Sequence, residues 1–309
     1  MDKEEALGHL INLRTAGADH PAWQQLESGL LTLLAPTQAV ASEYYRGLKN
    51  YERQWLRAVA VGRSKTRAIL IGRSAARVHG MWVVARTPEL VETTLGSNGY
   101  KTADNIPKGQ AFRKLTVTPE HIMLIDGARV LTPFRTAADI AAHHGFIEGL
   151  VAMSWLKYQK MSHARMMRAA RALGPIRGIG TVRAAIEASS PRSLSPFEPY
   201  AQGLLMEAGI PVQMHVRLPI DAHRYIEPDL LAGPNGEVAV EIDGGVKYDG
   251  VTYGGVEETL VKERRRENLL KNMGKPVVRL TPYQLITEPV YCTSTVQEAI
   301  AREQRRYGA

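Results

Sequence analysis

The segment from Tyr225 to Lys247 constrains this chain most. It reads Tyr-Ile-Glu-Pro-Asp-Leu-Leu-Ala-Gly-Pro-Asn-Gly-Glu-Val-Ala-Val-Glu-Ile-Asp-Gly-Gly-Val-Lys. Two apolar runs flank Gly233-Pro-Asn-Gly236, where Pro presets φ and Asn-Gly tolerates positive φ, so the chain folds back as a β-hairpin. Folding there sets Asp229 beside Glu241 on the neighbouring strand, within one residue of register. Glu241 and Asp243 are two apart and share a face. Three carboxylates are therefore expected at one end of the hairpin. That much negative charge calls for compensation, and a divalent cation is the obvious candidate. Acidic residues are also common at strand ends, and Asp243-Gly244-Gly245 can be only a turn. The segment by itself leaves the structural and the metal-binding readings equally open.

Composition points the same way without deciding. The 309 residues are enough for two or three domains. The formal charge of +8 and a pI near 9.5 favour a polyanionic partner. Aromatic residues make up 6%, too few for extensive base stacking, which favours a duplex or backbone contact over single strands. The single cysteine, Cys292, rules out an intramolecular disulfide and a cysteine-rich zinc site, and suits a reducing cytoplasm. Met1-Asp-Lys-Glu-Glu is no signal peptide, and no apolar run reaches the roughly 18 residues of a membrane span.

Along the chain, residues 1–40 read as a helix through Leu7, Leu10, Ile11 and Leu13, a turn at Gly17–Pro21, a short helix at Trp23–Leu26 and a strand at Leu30–Leu34. That is the order of a winged helix, although its second helix offers Gln24 and Gln25 and no Lys or Arg. Residues 41–185 read as a mixed α/β domain. It has a helix from Tyr44 to Val61, a strand at Ala68–Gly72 and a helix closed by Gly80. Strands follow at Trp82–Ala85, Val91–Thr94, Phe112–Val117 and His121–Ile125. Thr132-Pro133 starts a helix with proline at its first position, and Phe146–Tyr158 and Ser162–Leu173 are further helices. Gly174-Pro-Ile-Arg-Gly-Ile-Gly180 lacks the Lys-Ser/Thr and the preceding strand of a phosphate loop and reads as a flexible linker. His143, His144 and His163 have no partner at metal-ligand spacing and read as satisfied or exposed histidines.

Pro228-Asp229, eleven intervening residues and then Glu241-Ile-Asp243-Gly244 resemble the PD-(D/E)XK nuclease superfamily, and within it the very-short-patch-repair-like branch. The flanks agree. Ser195-Pro-Phe-Glu198 opens a helix to about Met206, as a similar Ser-x-x-Glu does in that family, where its Glu joins the acidic cluster. Gly209-Ile-Pro211 ends the helix, Lys262–Leu270 forms a basic helix ending at Gly274, and a strand follows at Val277–Leu280. The resemblance covers roughly residues 190–285. It departs from the pattern where Asp243 stands at the usual Lys position. Lys247, four residues on, could replace that lysine or be a surface loop residue.

The resemblance implies Mg²⁺ or Mn²⁺ held by Asp229, Glu241 and Asp243, with Glu198 beside them and Lys247 neutralising charge that develops on the phosphate. It also implies phosphate contacts from Lys262, Arg264, Arg265, Arg266 and Arg279. A solvated charged face is the commoner explanation of such a helix, with Leu260, Leu269, Leu270 and Met273 as its buried side.

Gly72-Arg-Ser-Ala-Ala-Arg-Val-His-Gly80 and Thr132-Pro-Phe-Arg-Thr-Ala-Ala-Asp139 resemble the AbiEi family of type IV antitoxins and related regulators, over about residues 60–160. The expected whole is a cytoplasmic α/β (α+β) protein. A degenerate winged-helix-like segment (1–40) and an AbiEi-like domain (41–185) precede a restriction-endonuclease-like domain (190–309) with a mixed central sheet flanked by helices. The expected partner is double-stranded DNA, with a toxin or defence-system protein as a second partner and no membrane. The expected activity is a metal-dependent endonuclease or nickase in phage defence or repair. The alternative is a non-catalytic DNA-binding regulator or antitoxin.

Overall fold

Residues 2–96, 106–243, 266 and 268–307 are described by the structure, a computed structural model. They divide into two units. The first is Met1–Val83, Thr87–Gly145 and Ala164–Arg183; the second is Val84–Arg86, Phe146–His163 and Ala184–Ala309. Among the described residues no helix is long and apolar enough to cross a membrane.

The first unit begins with α1 (Lys3–Gly8), β1 (Ile11–Asn12), α2 (Pro21–Glu27), β2 (Leu31–Ala35), β3 (Gln38–Ala41), α3 (Ser42–Gly47) and α4 (Asn50–Ser64). The Asp2 carboxylate accepts the Glu4 amide and caps α1. The helix expected through Leu13 stops at Gly8 instead. Ile11 and Asn12 pair with Ala39 and Gln38, and the Leu13 amide donates to the Thr37 carbonyl. Strand pairing thus satisfies this backbone while Leu13 enters a small core with Ala22, Leu31 and Ala39. The helix expected from Tyr44 to Val61 is two helices. Leu48 and Lys49 between them are extended, and the Glu52 carboxylate accepts the Lys49 amide at 2.8 Å.

A second, five-stranded sheet follows, with β4 (Ile69–Leu70), α5 (Gly72–His79), β5 (Val91–Thr94), β6 (Gln110–Phe112), β7 (Ile122–Ile125), β8 (Ala128–Leu131) and α6 (Pro133–His144). Its order is β6–β5–β4–β8–β7, parallel at β4–β8 and β5–β6 and antiparallel elsewhere. Trp55, Leu56, Val59 and Ala60 of α4 pack into one core with Leu70, Val91 and Val130. Trp82–Ala85 is no strand, and only Phe112 of the expected Phe112–Val117 strand lies in the ladder. Beyond it the chain keeps single bonds, from the Arg113 amide to Thr93 and from the Val117 amide to Gly96. Strand β8 was not anticipated from the sequence. Its signal is Asp126-Gly127, both at positive φ, the dipeptide that suits a tight hairpin turn.

The two motifs of this unit meet. The Gly72 amide donates to Asp139 Oδ2 at 2.9 Å and the Arg73 amide to Glu92 Oε1 at 3.2 Å, so two buried carboxylates sit on the first turn of α5. Arg113 joins them, with Nη1 3.1 Å from Asp139 Oδ1 and Nη2 2.9 Å from Glu92 Oε2. His144 Nε2 lies 3.0 Å from Glu92 Oε1. Gly72 is required here: its φ is +53°, and a Cβ would lie 2.2 Å from Glu92 Oε2. Both sequence motifs thus build one buried ionic knot.

Next come α7 (Phe146–Tyr158), α8 (His163–Ala172) and α9 (Ile179–Ala188). Helix α7 is buried on nearly every side, from Ile147 and Gly149 through Ser154 to Leu156. The expected flexible linker at Gly174–Gly180 is a short loop running directly into α9. The second unit continues with α10 (Phe197–Glu207), β9 (Val212–Met214), β10 (Leu218–Pro219), β11 (Tyr225–Ile226), β12 (Leu230–Ala232), β13 (Val238–Ile242), β14 (Val277–Leu280), α11 (Pro282–Thr287) and α12 (Pro289–Tyr307). Its sheet, β14–β13–β12–β9, is mixed: β13–β14 is parallel and the other pairs are antiparallel. Helices α10 and α12 pack against it. Leu270, from the helical residues 268–272, packs on Ile226, Leu231 and Ala239. The chain is therefore an α/β protein with mixed sheets and, in this unit, a central sheet flanked by helices.

Candidate functional site

The β12–β13 hairpin turns at Gly233–Gly236, where Gly233 and Gly236 take positive φ and the Gly236 amide donates to the Gly233 carbonyl at 3.0 Å. The Glu237 carboxylate accepts the Asn235 amide at 3.0 Å and fixes the turn. Leu230 pairs with Val240, so Asp229 and Glu241 are the next positions across the ladder. The Ile242 amide donates to Asp229 Oδ2 at 2.8 Å and holds that carboxyl against β13. Alternation along β13 puts Glu241 on the face of Ala239, which Leu270 covers. Arg266, about one helical turn before Leu270, therefore overhangs Glu241. Its Nη2 lies 3.0 Å from Glu241 Oε1 and 2.6 Å from the Glu227 carbonyl.

Glu198 reaches the same neighbourhood from the first turn of α10. It is 7% exposed, and its Oε2 accepts the Leu194 amide at 3.1 Å. His215, directly after β9, joins it. Its Nε2 is 3.1 Å from Glu198 Oε2, off the line of a hydrogen bond, so this buried nitrogen has no satisfied partner among the described residues. His215 Nδ1 is 3.7 Å from Glu227 Oε1, and the His215 amide donates to the Asp229 carbonyl at 3.2 Å. His215 also has φ +51°, a left-handed backbone uncommon outside glycine. Sequence reasoning missed His215 and Glu227. A lone histidine after a short strand carries no spacing signal, and its positive φ is visible only in three dimensions.

Electrostatics ties the carboxylates together. Burial pushes the Asp229 carboxyl up from its ordinary range. The Ile242 amide opposes that rise, the Glu198 charge adds to it, and Arg266 and His215 oppose it. Glu241 is pushed up to about 7, by burial first and by the Asp229 charge second, against Arg266 and Arg279. Two neighbouring acids that each resist ionisation are a donor pair short of positive charge.

The remaining expected residues fall as follows. Asp243 faces Arg279, with Arg279 Nη1 3.2 Å from Asp243 Oδ1, and the Asp243 amide donates to the Leu280 carbonyl. Glu198, Asp229 and Glu241 thus share one electrostatic neighbourhood, while Asp243 is engaged by Arg279. Of the expected phosphate-contacting residues, Arg266 and Arg279 both face acidic side chains. Lys247, Lys262, Arg264 and Arg265 lie outside the described residues, as do Gly244, Gly245 and Leu260.

Among the described residues no three His, Cys, Asp or Glu side chains form a ready-made metal cage. Mg²⁺ does not need one, because it commonly binds through one or two carboxylates and keeps several waters. The pair Asp229 and Glu241 fits that requirement: both are acids under charge strain, beside an orphaned His215 Nε2. Comparison with protein-family models and with curated proteins gives no match for this chain.

Proposed function

We propose that this chain is a DNA-binding protein whose second unit is a Mg²⁺- or Mn²⁺-dependent endonuclease or nickase acting in phage defence or repair. One observation carries the reading: Asp229 and Glu241 are adjacent across the β12–β13 ladder, both are buried acids that resist ionisation, and the Asp229 charge adds to that resistance at Glu241. Asp229 and Glu241 would hold the cation, which when bound would polarise a phosphoryl oxygen and stabilise charge on the leaving oxygen. The Ile242 amide fixes Asp229, and Arg266 draws Glu241 toward its ionised, metal-ready form. In this reading Glu198 and His215 would orient the water that attacks phosphorus, forming one P–O bond as the bond to the departing sugar oxygen breaks, with the water's proton replaced on that oxygen through solvent. Arg266 and Arg279 add positive charge beside the acids, and the charge of +8 suits a polyanion.

The test is incubation of supercoiled plasmid with Mg²⁺ or Mn²⁺ and the wild-type, Asp229→Ala and Glu241→Ala proteins. Metal-dependent nicking lost in both variants supports the enzyme. DNA binding without cutting, equal in all three proteins, supports the second reading, a non-catalytic regulator or antitoxin. One observation favours that second reading: Arg266 already neutralises part of the Glu241 charge.

A further inference from the structure

The first unit holds a cavity of about 690 Å³, lined by Arg113, Arg135, His143, Arg177 and Lys114 together with one carboxylate, Asp139. Arg135 and His143 project from one face of α6, eight residues apart. The loop bearing Ile176 and Arg177 is pressed on that helix through Gly178. A Cβ there would lie 2.7 Å from the Ala142 Cα, and its φ is +80°. The Gly174–Gly180 segment therefore forms a wall of the cavity.

The charges of this cavity do not balance. Arg113 is engaged by Glu92 and Asp139, yet among the described residues its buried Nε has no acceptor. Arg135 is 4% exposed and, among the described residues, makes no hydrogen bond or ion pair. The Asp139 charge within its range already accepts from Arg113 and from the Gly72 amide. Lys114 and Arg177 are exposed and, among the described residues, likewise unpaired. Arg135 lines the cavity with the Asp139 charge within its range, and Asp139 is already shared with Arg113, so an anion in the cavity would find guanidinium donors whose charge is only partly balanced. Burial first, and the Arg113 and His144 charges after it, hold the His143 imidazole below its ordinary value against Glu92 and Asp139.

We propose that this cavity binds the phosphate chain of a small phosphorylated ligand of nucleoside-polyphosphate size. Its volume falls in the range of small-molecule sites, and its concave form suits a compact ligand better than an extended duplex. Guanidinium groups match phosphate geometry through parallel N–H donors, which Arg135 and Arg177 are positioned to offer. The Ile176, Leu115 and Ala142 side chains supply apolar surface for the rest of the ligand. This site is independent of the nuclease reading.

The test is isothermal titration of the full chain, without divalent metal and at low salt, with ATP, inorganic pyrophosphate, adenosine and a short DNA duplex. Binding of ATP and pyrophosphate but not adenosine is expected. Arg135→Met and Arg177→Glu should each weaken ATP by roughly tenfold or more. Arg177 is exposed, so that variant decides the matter if Arg135→Met fails to fold. Absence of ATP binding overturns the proposal, as does an ATP affinity unchanged from wild type in both variants. A duplex that displaces ATP and loses its own binding in the same variants also overturns it, assigning the cavity to a nucleic-acid backbone.

Discussion

Replacing Glu241 by Gln removes a buried acid from beside Asp229 while keeping its shape and its capacity to face Arg266. The ordinary glutamate value of 4.5 rises here to about 7. The folded protein therefore holds this proton more tightly than the unfolded chain does. Between those two values stability falls as pH rises, because the folded state keeps a proton that the unfolded state has already released, so rising pH favours unfolding. At about 1.4 kcal/mol for each pH unit the full effect is about 3 kcal/mol. Solvent around the 44%-exposed Arg266 side chain and the coupling to Asp229 reduce the usable part to about 1–2 kcal/mol. Below about pH 5 wild type and Glu241→Gln should be equally stable, and by about pH 8 the variant should be the more stable by that amount. Urea midpoints of both proteins across this range measure the difference, with the second unit's transition followed separately where the two units unfold apart. Millimolar Mg²⁺ should raise the wild-type midpoint at about pH 8 and leave that of the variant unchanged, through linkage of binding to folding. A variant destabilised equally at both ends of the pH range would refute the reasoning, because the Arg266 pair would then outweigh burial and the Asp229 charge.

Gly72→Ala should lower stability by about 3 kcal/mol or more, since it combines a left-handed backbone with a collision on Glu92, and thermal or urea unfolding would read it. Asp139→Asn should destabilise by about 3–5 kcal/mol, because Arg113 loses the buried charge that it grips through two nitrogens; a stability within error of wild type would show the knot to be dispensable. Arg266→Met should move Glu241 ionisation to still higher pH, followed as the titration of the labelled carboxyl carbon, because a charge that lowers its pKa is gone. Gly127→Ala should weaken the β7–β8 hairpin by about 1 kcal/mol through its positive φ, seen as faster amide exchange in both strands.

Much of the hairpin was legible without coordinates. Gly-Pro-Asn-Gly has few alternatives to a turn, and antiparallel pairing then makes Asp229 the neighbour of Glu241 by counting residues alone. The helix opened by Phe197 and the strand at Val277–Leu280 were legible for similar reasons: punctuation by Pro and Gly around apolar runs. Local signals misled where tertiary pairing outweighed them, as at Ile11–Asn12, claimed by β3, and at Leu48–Lys49, where Glu52 caps a new helix.

What the chain alone determined is therefore local: the turns, the helix starts, the alternation along β13 and the neighbourhood of two carboxylates. Tertiary structure decided everything that depends on distant residues meeting. It set Arg266 over Glu241, brought His215 to Glu198, paired Asp243 with Arg279 and knotted Gly72 to Asp139 across 67 positions. Spacing encodes what the backbone brings together within a few residues. Which charge faces which across the core is set by packing, and packing belongs to no single segment.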